Sequence, residues 1–103
     1  MKNVVVDKEQ AVKIIHESRN ELAETYGVRK IGLFGSIVRG EQTATSDIDI
    51  VVEIASEKKK LHNFLSFRRY LEHRLGRSVD LGIESTVKPI VREAIAKEIV
   101  YVQ

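Results

Sequence analysis

The 103-residue chain has no cysteine, no tryptophan and a single proline. Without thiols there is neither a disulfide framework nor a thiolate metal site, and a reducing cytoplasm is the natural setting. No apolar run approaches the roughly 20 residues needed to span a bilayer. The start, MKNVVVDKEQ, carries only a short valine run before charges resume, too little for a signal peptide. Neither sign of charge dominates, since 17 basic against 15 acidic residues leave a formal +2. That balance gives no electrostatic reason to expect direct nucleic-acid binding, and EKKK at 57–60 reads as a solvated loop or helix start. There is no G-x-x-x-x-G-K-[ST] loop, no dinucleotide-binding glycine pattern and no HExxH. His16, His62 and His73 are scattered and are assigned nothing.

What remains is an ordinary folded composition, 43% apolar and 31% charged, at a length that supports one core and one domain over 1–103. Asp7 stands three residues before Gln10 as a capping box, and Ala11, Ile14, Ile15, Ser18, Leu22 and Tyr26 predict one amphipathic helix that ends at Gly27. VRKIGLF and IDIVVEI predict two strands, and SVDLGI a third, shorter one. Between them, Leu61, Phe64, Leu65, Leu71 and Leu75 predict a helix over 58–75 stopped by a left-handed Gly76. Pro89 suits the first turn of a last helix, with Ile90, Val91, Ala94, Ile95 and Ile99 as its buried side. The order α, β, short α, β, α, β, α implies an α/β (α+β) architecture with helices on a small sheet.

The informative stretch is FGSIVRGEQTATSDIDIVV, 34–52. Gly35 and Ser36 fall where the first strand yields to a turn, and a residue without a side chain lets a ligand approach the backbone. Taken alone they fit an equally plain reading, in which Gly35 turns the chain and Ser36 caps a short helix. Asp47 and Asp49 alternate with Ile48 and Ile50, so alternation puts both carboxylates on one face, where like charges repel. A divalent cation removes that repulsion. Mg²⁺ prefers carboxylate oxygen, and two ions can clamp the attacking and leaving oxygens of a phosphoryl displacement. Asp80, between Val79 and Leu81, offers a third carboxylate that could also accept the proton of an attacking hydroxyl. Arg39 could pair with triphosphate oxygens or, as a surface residue, with Glu41. Arg68 and Arg69 beside Phe67 and Tyr70 could touch a base or a partner, though helical aromatics more often pack.

Gly35-Ser36, ten intervening residues, then Asp47-Ile48-Asp49, with Arg39-Gly40 in the gap and Ser46 before the first aspartate, resembles the signature of the polymerase-β-like nucleotidyltransferases. More narrowly, the stretch is similar to the minimal nucleotidyltransferase (MNT) family, and the resemblance extends to SVDL and the closing KPIVREAIAKEIVYV. It implies a small mixed sheet flanked by helices. It implies further that Gly35, Ser36, Arg39 and Ser46 hold the nucleotide, and that Asp47 and Asp49 bind Mg²⁺ and through it the triphosphate of ATP. Asp80 would complete the metal site, with two ions, and activate the acceptor. The implied reaction is AMP transfer to a hydroxyl, and the implied partner a HEPN ribonuclease toxin, modified on a tyrosine by this chain as its antitoxin. Homo-oligomers or hetero-oligomers with the toxin are compatible with it. Two alternatives stay open on the sequence: a binding-only antitoxin with a vestigial site, and an enzyme for a small hydroxylated molecule.

Overall fold

Asp7 opens the first helix as its spacing predicts. Its carboxylate accepts the Gln10 N–H at 2.8 Å while the Gln10 side chain accepts the Asp7 N–H at 3.2 Å. In the computed structural model, which describes residues 6–102, the chain then runs α1 (Lys8–Glu17), α2 (Arg19–Tyr26), β1 (Val28–Phe34), α3 (Ser36–Arg39), β2 (Ile48–Ile54), α4 (Leu61–Leu75), β3 (Val79–Ile83), α5 (Pro89–Ala96) and β4 (Val100–Tyr101). Single 3₁₀ turns precede α4 and α5. Most of the valine run at the start of the sequence lies outside the described residues.

The single first helix expected up to Gly27 is broken at Ser18. The buried Ser18 hydroxyl donates to the Ile14 carbonyl at 2.9 Å, and its ψ of 3° leaves the helical region before α2 begins. A hydroxyl bonded back to the i−4 carbonyl bends a helix. The apolar stripe survives the break, because Ala11, Ile15 and Leu22 are all buried.

The sheet order is β3-β2-β1-β4. Strands β1 and β2 are antiparallel, β2 and β3 parallel, and β4 adds antiparallel to the far side of β1 at Gly32 and Leu33. The sheet is therefore mixed. Ile48, Ile50, Val52 and Ile54 alternate into the core, where they meet Ile15, Leu22, Phe67, Leu71 and Leu75 from α1, α2 and α4. On the opposite face Val51 is also buried, flanked by Gly32 and Gly82 on the neighbouring strands. The chain end covers that face at Gly32, where an added Cβ would stand 2.8 Å from Ile99 Cδ1. Absence of a side chain at Gly32 is what lets Ile99 settle there.

Two apolar stripes differ from their sequence expectation. In α4 the buried side is Phe67, Leu71 and Leu75, whereas Leu61 is 73% exposed. Phe67 is fully buried against the Tyr26 ring, 5.4 Å between centroids, which rules it out as a contact for a base. In α5 no residue is buried: Ile90 is 78% and Val91 46% exposed, and Ile99 lies beyond the helix. The core face of the sheet is already filled by α1, α2 and α4, so a fourth apolar helix finds no room on it.

Asn63 joins the start of α4 to the α2–β1 junction. Its Nδ2 donates to the carbonyls of Tyr26 at 3.2 Å and Lys58 at 2.9 Å. Asn63→Ala leaves both half-buried carbonyls without this donor and is expected to cost about 1–2 kcal/mol, read as a lower urea midpoint with an unchanged m-value.

Candidate active site

Strand β1 delivers Phe34 opposite Asp49 on β2, and the next residue turns the chain away. That residue, Gly35, has φ 80° and ψ −152°, a region essentially reserved for glycine. A Cβ there would overlap the Asp49 carboxylate, with Asp49 Cγ at 3.0 Å. The Gly35 backbone is thus pressed against a carboxylate, a second reason for glycine beside ligand approach. Gly35 occupies the N-cap of α3 and Ser36 its first turn, with no side-chain capping bond. The plain reading of Ser36 as a cap is therefore overturned.

On the other side of Asp49 stands Asp80, its in-register partner on parallel β3. In-register residues of adjacent strands point to the same face. Asp47 differs from expectation in one respect: it precedes β2, which begins at Ile48, and is exposed while Asp49 is half-buried. Burial pushes the Asp49 carboxyl above its ordinary range, and the charges of Asp80 and Asp47 push it further, with Arg39 opposing. Asp49 is thus the carboxylate on which the charges of both others act. Among the described residues no group of three or more His, Cys, Asp or Glu side chains is arranged to hold a metal ion by itself. The donor set nonetheless fits Mg²⁺, which takes hard oxygen and completes its shell with water and substrate phosphates.

Arg39, at the end of α3, donates to Glu41 at 2.9 Å as one reading expected. It also donates through Nη1 to both oxygens of Glu98, at 2.9 and 3.1 Å, and the Gly35 N–H donates to the same carboxylate at 2.8 Å. These bonds hold the Glu98 carboxyl below the usual range, the Gly35 bond most of all. Ser46 serves its own loop, its hydroxyl accepting the Thr43 N–H at 2.9 Å. Arg77 then ties this loop to the turn before β3, donating to the carbonyls of Thr43, at 3.0 Å, and Ser46. That tie sets Asp47 beside the strand that carries Asp80. Glu98 and Arg77 escaped the sequence reading because their partners lie about 60 and 30 residues away, and no local pattern marks either. Clefts of about 310, 350 and 420 Å³ elsewhere on the surface include none of these residues.

The model of the nucleotidyltransferase domain family matches residues 15–102. The chain belongs to the nucleotidyltransferases, in their minimal branch. Over 94 residues it is 42% identical to the protein adenylyltransferase MntA of Thermococcus cleftensis, covering 91% of this chain and 94% of that one. A solved structure assigned to the minimal nucleotidyltransferases superposes with a TM-score of 0.76 at 28% identity, over 92% of this chain and 95% of the other. One chain of a complex between tri-AMPylated HEPN toxin and MNT antitoxin, from Shewanella oneidensis, shares the fold at a TM-score of 0.63 and 18% identity, over 89% of this chain and 71% of that one.

For a nucleotidyltransferase the arrangement is chemically coherent. A backbone N–H and a guanidinium, both now on a carboxylate, form an anion seat at Gly35 and Arg39. Asp49 stands against Gly35, with Asp80 in register beside it and Asp47 two residues before it, on the rim where β1 ends and β2 and β3 begin.

Proposed function

We propose that this nucleotidyltransferase transfers AMP from ATP to a hydroxyl of a partner protein, a tyrosine of a HEPN ribonuclease toxin, and so acts as its antitoxin. The observation that carries the reading is Asp49, pressed against the Gly35 backbone with Asp80 in register beside it. The AMP donor and the protein acceptor are supported by the Thermococcus relative, named a protein adenylyltransferase, and by the AMPylated toxin complex of the same fold. One domain over 1–103 acting in the cytoplasm accords with the absence of cysteine and with ATP as donor. Among the described residues no helix is long and apolar enough to cross a membrane.

Gly35, Ser36 and Arg39 would seat the triphosphate, with Ser46 shaping the loop that borders it. Asp47, Asp49 and Asp80 would hold Mg²⁺, two ions in the full site, which supply charge neutralisation to the phosphates when bound. The acceptor oxygen attacks the α-phosphorus, and the bond from that phosphorus to the pyrophosphate oxygen breaks. Asp80, the exposed carboxylate on β3, takes the acceptor's proton, and pyrophosphate leaves with the electron pair. No covalent enzyme intermediate is needed, so positioning and electrostatics carry the reaction.

The test is mass spectrometry of a HEPN toxin incubated with this protein, ATP and Mg²⁺, beside an Asp47→Ala/Asp49→Ala control. The expected result is an AMP-sized increment on a tyrosine, absent from the control and abolished by EDTA. Silencing of the toxin by wild type and control alike, with no increment, would establish neutralisation by binding alone.

A further inference from the structure

The anion seat described above already contains an anion. Glu98 lies on the segment between α5 and β4, more than 55 residues from its partners in sequence. Its carboxylate takes the Gly35 N–H at 2.8 Å and two bonds from Arg39 Nη1, at 2.9 and 3.1 Å. A planar carboxylate held by one backbone amide and a guanidinium satisfies the donors that a phosphate oxygen would use. Its neighbour Ile99 is seated over Gly32, and Tyr101, two residues further, donates to Glu84 at 2.8 Å while Lys30 stands 4.8 Å above its ring. The strap is thus fastened on the far side of Glu98. On the near side α5 buries no residue, and the Glu98 and Ile99 N–H groups both donate to the Ile95 carbonyl at 3.0 Å, so Glu98 is held there by the exposed end of a helix and not by core packing.

We propose that Glu98 is a built-in competitor for the triphosphate: it occupies the phosphate-binding donors of Gly35 and Arg39 in the nucleotide-free chain and must swing away before ATP is seated. The proposal rests on the nucleotidyl-transfer reading of this site. It makes Glu98 a determinant of nucleotide affinity, because only the fraction of molecules with the seat vacated binds, and apparent affinity falls by that fraction.

Isothermal titration of Mg-ATP, and separately of Mg-tripolyphosphate, into wild type, Glu98→Gln, Glu98→Ala, Arg39→Ala and Arg39→Ala/Glu98→Ala tests this. Both Glu98 variants are expected to bind both ligands about tenfold more tightly than wild type. Glu98→Gln, close to isosteric, covers the case in which Glu98→Ala folds poorly. On the Arg39→Ala background the Glu98→Ala gain should shrink, because the two act through one seat. Wild-type binding with unchanged or weaker affinity in both Glu98 variants would overturn the competitor role and leave nucleotidyl transfer standing. Absence of nucleotide binding in wild type and every variant would overturn the transfer reading together with it.

Discussion

An Asp49→Asn variant is expected to melt at a higher temperature than wild type and to lose nucleotidyl transfer. The two effects have one source. Asp49 is half-buried between the Gly35 backbone and Asp80, and desolvation together with the charges of Asp80 and Asp47 raises its proton affinity. Arg39 offsets this desolvation and repulsion only in part, and a neutral amide of the same shape removes both. Allowing for solvent screening of a group this exposed, the gain is about 1 kcal/mol, or ~4–8 °C for a domain of this size. Function runs the other way, because an amide is a poor ligand for Mg²⁺, and a loss of at least about a thousandfold in transfer is expected. The pH dependence fixes the sign. A carboxyl whose folded pKa is raised binds more protons in the folded state, so its contribution to stability falls as pH rises from the ordinary value of 3.8 through the raised one. Thermal melts across that window should show a shallower decline in Asp49→Asn than in wild type. A variant that melted lower at neutral pH would mean that Asp49 is held by contacts stronger than the repulsion, and the strain account would fail.

The sequence made the site legible because its key spacing is local. Gly35-Ser36 and Asp47-Ile48-Asp49 sit at the ends of strands whose β-branched runs are short, bounded by glycine and polar loops, and observed at Val28–Phe34 and Ile48–Ile54. Asp80 could be placed on a strand but not beside Asp49, since register and direction depend on which strands pair. The parallel β2–β3 pairing that aligns them is a property of the whole fold. Failures have equally physical causes. Ser18 has the spacing of one more position in a stripe, but its hydroxyl bonds the carbonyl four residues back. Residues Ile90 and Val91 have a helical spacing of apolar side chains, yet periodicity does not say whether a core face is still vacant. Strand β4, two residues long, gives no pattern at all. With it went Glu98, whose role is set by where the strap lands.

Gly35→Ala separates the demands of backbone geometry from those of turn flexibility, and Gly40→Ala is its natural control. Both glycines have positive φ, 80° and 73°. Gly40 is left-handed with ψ 22° and open space around the missing side chain, so alanine there is expected to cost about 1 kcal/mol and leave transfer nearly intact. Gly35, at ψ −152°, occupies a region that excludes other residues at roughly 1–3 kcal/mol, and its new methyl would meet the Asp49 carboxylate with Cγ at 3.0 Å. Relief requires Asp49 to move or the turn to open, and either displaces the anion seat from the carboxylates. Transfer by folded Gly35→Ala should therefore fall by about a hundredfold or more. A double-mutant cycle on stability isolates the clash: Gly35→Ala should destabilise less on an Asp49→Ala background than on wild type, with a coupling of about 0.5–3 kcal/mol. Additive losses would show that the alanine acts through backbone strain alone. In that case the close approach of Gly35 and Asp49 would contribute nothing of its own to keeping glycine at this turn.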